Sequence, residues 1–163
     1  MSELKIIDQN LCTELLTQAA DSPRLRSHQN LHTSLDEPVQ RLLIALQTGT
    51  YVQPHRHPQE IKWELIMAVR AETLLLLFDD VGVLIKRFLL SPANLPLAVE
   101  LPPNTWHTVL PLQQNSVILE VKQGPFNPSD GCDFAAWAPK EGEAGVADFL
   151  QWARAASVGE RFL

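Results

Sequence analysis

The chain has 163 residues, a formal charge of −6, 45% hydrophobic residues, 7 Gly and 12 Pro. This length suits one domain that buries about 70% of its unfolded surface, and the proline use favours turns and strand ends over long helices. An acidic balance without a long basic run argues against a nucleic-acid footprint or an anionic-membrane patch, and the composition is neither disordered nor collagenous.

The N-terminal "MSELKIIDQN" lacks the apolar stretch of a signal peptide, and the run "LLLLF" at 74–78 is too short to span a bilayer. A cytoplasmic location is expected. Cys12 and Cys132 belong to no C-x-x-C pair and read as free packing thiols. Residues 8–20 read as a helix, with Asp8 capping the first turn and Leu11, Leu15, Leu16 and Ala19 on one face. "DSP" at 21–23 stops it.

Arg24, Arg26, His28, Asn30 and His32 then form a polar run that reads as a loop before the first strand. It is either a solvated linker or a segment folded over a binding chamber, with Asn30 and His32 reaching inward and an arginine gripping a phosphate or carboxylate. Short apolar runs separated by turn residues follow, which predicts an antiparallel sandwich or barrel. The predicted strands are 39–46, 50–57, 64–70, 73–79, 83–90, 97–101, 106–110 and 116–122. Phe126, Phe134 and Trp137 mark the tail as an ordered wrap, and Val146, Phe149, Leu150 and Ala153 predict a second amphipathic helix over 144–157. The chain is therefore expected to be all-β with flanking helices. It forms one domain over 1–163: a helix and polar segment (1–35), the β-structure (36–122), and a wrapping tail with the second helix (123–163).

Chemistry concentrates in "GTYVQPHRHPQEIKWELI". On an extended strand His55 and His57 project to one side and Arg56 to the other, so one strand can offer two imidazoles to a metal. His107 follows fifty residues after His57, where a Pro-Pro-Asn turn enters a strand and Asn104 can take the position that needs positive φ. A carboxylate should complete the set. Glu60 and Glu64 compete for that place, because Pro58 breaks the alternation between them and the histidines; Glu64, at the start of an apolar strand, is preferred.

Tyr51 and Gln53 share the parity of the histidine pair and are candidates to line the same chamber, although a tyrosine on a barrel strand is more often packing. Arg41 is an inward substrate anchor or an outward charge on the face of Val39, Leu43 and Ala45. Trp63 and Trp106 are read as core, and Glu120 as either an inward acid or the wet side of the last strand, with the wet side ranked first.

"GTYVQPHRH" resembles the first half of the first cupin motif, and Glu64 followed by Ala71 is similar to its second half, with Ala in place of the usual Gly. "PPNTWH" at 102–107 is similar to the second motif, with Asn104 where Gly is usual. The spacing from His57 to Glu64 is longer than common, and Pro96 and Pro111 replace other motif positions. Together with "SPRLRSHQNLH" at 22–32, "DEPVQRLLIAL" at 36–46 and "EVKQGPFNP" at 120–128, these segments resemble the WbuC-type cupin fold metalloproteins from about 20 to 140.

The resemblance implies a bacterial cupin jelly-roll with a metal held by histidines and a carboxylate, and for some members a place beside lipopolysaccharide O-antigen sugar genes. Three imidazoles and one carboxylate suit one divalent transition metal, Fe, Mn, Ni, Zn or Cu, and an octahedral ion so held keeps two positions for water or a small-molecule ligand. A sugar or sugar-phosphate isomerase or epimerase is the leading expectation. An Fe(II)-dependent dioxygenase and a non-catalytic metal-dependent binder or sensor are the alternatives, and a homodimer is expected because a small jelly-roll leaves sheet edges to cover.

Overall fold

Asp8 accepts a hydrogen bond from the backbone N–H of Leu11 at 2.9 Å and starts helix α1, Gln9–Asp21. The cap is the one read from the sequence, and of the expected apolar face Leu15, Leu16 and Ala19 are buried while Leu11 is half-buried and Cys12 joins the buried set. The computed structural model describes residues 4–128 and 131–163. Among these, the strands are β1 (Arg26–Asn30), β2 (Val39–Leu46), β3 (His55–Arg56), β4 (Glu64–Arg70), β5 (Thr73–Phe78), β6 (Leu84–Leu90), β7 (Ala98–Leu101), β8 (Trp106–Pro111), β9 (Ser116–Gln123) and β10 (Asp133–Phe134), followed by helix α2 (Val146–Ala155).

The strands form two antiparallel five-stranded sheets, ordered β1-β2-β9-β4-β7 and β10-β3-β8-β5-β6. Two such sheets, with most consecutive strands crossing between them, make a jelly-roll. Their inner faces meet in a core containing Ile44, Leu46, Ile66, Leu75, Leu77, Val109 and Ile118. Each outer face carries a helix instead of water. Helix α1 packs on Leu43, Ala45 and Val117 of the first sheet, and Phe149 and Ala153 of α2 join a cluster with Leu74, Leu76 and Phe78 of the second.

Three expectations change at the level of elements. The polar run before β2 is not a loop, because Arg26–Asn30 pairs residue by residue with Leu42–Leu46 as an edge strand. The predicted strand over 50–57 contracts to His55–Arg56. Before it the chain is held by irregular bonds, from Thr50 Oγ1 to the Arg24 carbonyl at 2.8 Å and from the Ala135 N–H to the Pro54 carbonyl at 2.8 Å. A short strand in the tail, β10, pairs with β3 and sets Phe134 opposite His55. The turns keep their predicted chemistry. Asp79 Oδ1 accepts from the N–H groups of Val81 and Val83, Gly82 takes φ +86° and Asn104 takes φ +63°.

Candidate metal centre

The two histidine segments are brought together by strand pairing. His55 on β3 lies opposite His107 on β8, and the N–H of Asn104, in the turn before β8, donates to the His57 carbonyl at 2.9 Å. Arg56 points the other way, as alternation requires, with its guanidinium 4.5 Å above the Trp106 ring and bonded to Asp133 at 3.1 Å. One ring nitrogen from each of His55, His57 and His107 lies within 4.8 Å of the others.

Each imidazole is oriented by the backbone. The Nδ1 of His55, His57 and His107 lies 3.0, 2.6 and 2.9 Å from the carbonyl oxygens of Gln53, Gly131 and Thr105. A carbonyl only accepts, so all three Nδ1 atoms carry the proton and, in the neutral rings, the Nε2 lone pairs are left free. Glu64 Oε2 lies 3.3 Å from His57 Nε2 and 3.1 Å from His107 Nε2. Yet Glu64 Oε2 and His57 Nε2 are buried without a hydrogen-bond partner. Lone pairs that converge without bonding one another can serve as the donor set of a cation, and three imidazoles with one carboxylate suit a divalent transition metal.

Glu64 begins β4 with its Cα paired to Lys122 of β9, so its side chain enters between the sheets and is only 2% exposed. Glu60, its competitor, is exposed in the turn that precedes β4. The lengthened spacing is taken up by that turn. Lys122 Nζ bonds Glu64 Oε1 at 3.3 Å and Glu120 Oε2 at 3.0 Å. Burial opposes charge on Glu64, but Lys122, joined by His107 and His57 when their rings are protonated, outweighs it and holds the carboxyl well below its usual range. Burial pushes Glu120 up, burial and the neighbouring His107 push His55 well down, and Glu64 outweighs burial to push His107 up.

His55 and His107 border a chamber of about 400 Å³, whose other wall carries Arg24, Arg26, His28, Asn30 and His32. These five residues share the even parity of β1 and its flanks, so the period of two in "RLRSHQNLH" is the strand signal that a composition-based reading misses. Arg26 donates to the Tyr51 carbonyl at 2.7 Å and to Glu141 at 3.0 Å, while Arg24 meets Glu141 through two contacts of 2.7 Å. His28 is open to solvent on one side, yet desolvation and the charges of Arg26, Arg24 and Lys122 push its imidazole down to about 4. His32 Nδ1 lies 3.0 Å from the backbone nitrogen and 2.9 Å from the carbonyl oxygen of Arg41, and its buried Nε2 has no hydrogen-bond partner.

Other candidates fall outside the chamber. Arg41 faces away from it, on the α1 side of the first sheet, and pairs with Glu37. Tyr51 is a core residue whose hydroxyl donates to the Pro139 carbonyl at 2.6 Å and whose ring meets Phe149 edge-on. Gln53 bonds the Ala135 carbonyl at 3.2 Å. Parity fails for these two because 50–54 is not a regular strand. Trp106 packs against Trp137, as its core reading expects. Glu120 takes the lower-ranked of its two readings, the inward one: its side chain is 12% exposed and borders the chamber with Lys122. The face opposite it is covered by α1, so β9 has no wet side from which to choose.

The family model described as a domain of unknown function, DUF6016, matches residues 7–90. The chain belongs to the DUF6016 family. No curated protein matches it. Among solved structures, this DUF6016 chain is similar to KdgF from Halomonas sp., at 17% identity and TM-score 0.50 over 66% of this chain and 84% of that one. It is also similar to the capsular polysaccharide assembling protein CapF from Staphylococcus aureus, at 17% identity and TM-score 0.56 over 69% and 30% of the two chains. The DMSP lyase DddQ from Ruegeria pomeroyi matches at 16% identity and TM-score 0.53 over 72% and 54%. These neighbours are cupins, and at such identities the likeness establishes the cupin fold alone. Among the described residues, no helix is long and apolar enough to cross a membrane.

Proposed function

We propose that this protein is a metal-dependent cupin of the WbuC type that holds one divalent transition metal with His55, His57, His107 and Glu64 and acts on a small polar molecule in the chamber above it. The observation that carries the reading is the set of backbone-oriented imidazoles and the Glu64 Oε2 atom, which converge without bonding one another. When bound there, a divalent metal supplies Lewis acidity to a carbonyl or hydroxyl of the ligand. The chain supplies the rest: aliphatic walls from Leu42, Ile44 and Val109 that exclude water, and the polar β1 face to orient the ligand.

A sugar or sugar phosphate is the substrate class we favour, in an isomerisation or epimerisation. The arginine- and histidine-bearing strand β1 supports it, because its groups suit hydroxyl and phosphate oxygens. The fold likeness to a capsular polysaccharide assembling protein is compatible with it.

Elemental analysis of the purified protein tests the metal reading. The expected result is about one transition metal per chain, lost in the His57→Ala, His107→Ala double variant while the far-ultraviolet spectrum of the fold persists. Full metal retention in that variant removes the site assignment.

A further inference from the structure

The Glu64 carboxylate is divided between two tasks. Oε2 faces His57 and His107, whereas Oε1 is bonded to Lys122 Nζ at 3.3 Å. Lys122 is itself fixed from the other side by Glu120 Oε2 at 3.0 Å, and its side chain is only 17% exposed. The arrangement follows from sheet register: on β9, Glu120 stands opposite Ile66 and Lys122 opposite Glu64, so all three charged groups enter the same space between the sheets.

We propose that Lys122, braced by Glu120, is a positioning residue that reserves Oε1 of Glu64 and so presents this carboxylate to a metal through one oxygen. The role rests on the metal reading of the histidine cluster. A carboxylate free at both oxygens can chelate with both or rotate between them; one anchored at Oε1 offers only Oε2. The anchor also offsets the repulsion between Glu64 and Glu120, whose carboxylates share one buried wall. Partners that orient a ligand in this way typically change metal affinity by about 10–100-fold when removed.

Removing Lys122 alone leaves two buried carboxylates without a counter-ion and threatens folding. The test therefore uses the paired change Lys122→Met, Glu120→Gln, which removes one positive and one negative charge and leaves the formal charge of the cluster unchanged. Cobalt(II) is the probe. It is titrated into the metal-free natural chain, the paired variant and Lys122→Arg, with visible absorption reporting coordination and chelator competition reporting affinity.

The expected result is about 10–100-fold weaker cobalt binding in the paired variant, together with a changed intensity of the visible bands, as the unanchored carboxylate alters the donor number. Lys122→Arg, which keeps a cation for both carboxylates, should recover the natural spectrum. A paired variant identical to the natural chain overturns the positioning role and leaves the metal site standing. So does a loss of affinity with an unchanged spectrum, or a failure of Lys122→Arg to recover it. A natural chain that binds no cobalt overturns both readings.

Discussion

The convergence of His55, His57 and His107 is legible from spacing because the physics behind it is local, whereas spacing alone leaves Glu60 and Glu64 in competition. Two imidazoles two apart on a strand share a face, and a Pro-Pro-Asn turn fixes the third. Arg41, Glu120 and Lys122 are not legible in the same way. Alternation separates the two faces of a strand but does not say which face is inward, and a helix over the outer face removes the polar-out cue. At this scale His28 gives a direct pH test. Its imidazole is pushed down to about 4, so between the ordinary histidine range and that value the unfolded chain takes up a proton that the folded chain refuses. Stability from this group is full above the ordinary range and falls as pH drops toward 4. Proton NMR of the His28 ring should show a midpoint near 4; a midpoint near 6.5 would show that the neighbouring cations and the chamber wall leave it untouched.

Among the elements, β2 and β4 start and end where their apolar runs do, because both are central strands bounded by turn residues. Strand β1 escapes composition: an edge strand needs only one ladder, and its side chains on the chamber face are themselves polar, so neither β-branched nor aliphatic residues announce it. The β4–β5 turn holds a cost that the sequence already hints at. Ala71, where cupin motifs usually carry Gly, takes φ +58°. A side chain in the left-handed region costs about 1–2 kcal/mol, so Ala71→Gly should stabilise the protein by roughly 1 kcal/mol, net of the extra freedom glycine gives the unfolded chain. Thermal unfolding should rise by about 2–4 °C for a chain of this size. An unchanged or lowered midpoint would show that the turn carries no such strain.

For the whole molecule, two sheets closed over a chamber and covered by a helix on each outer face explain how a small acidic chain keeps His57, His107 and Glu64 buried and His55 half-buried beside them. Fold class was readable in advance because strand spacing and turn chemistry repeat along the chain. The pairing of His55 with Phe134 was not, since β10 is two residues long and has no pattern of its own. Everything functional depends on the cluster at the chamber floor being a metal centre. Crystals grown with cobalt(II) and measured on both sides of its absorption edge test this most directly. The expected result is one anomalous peak bounded by the Nε2 atoms of His55, His57 and His107 and by Oε2 of Glu64; peaks only at surface carboxylates, with a protonated imidazole bonded to Glu64 at the floor, would contradict it.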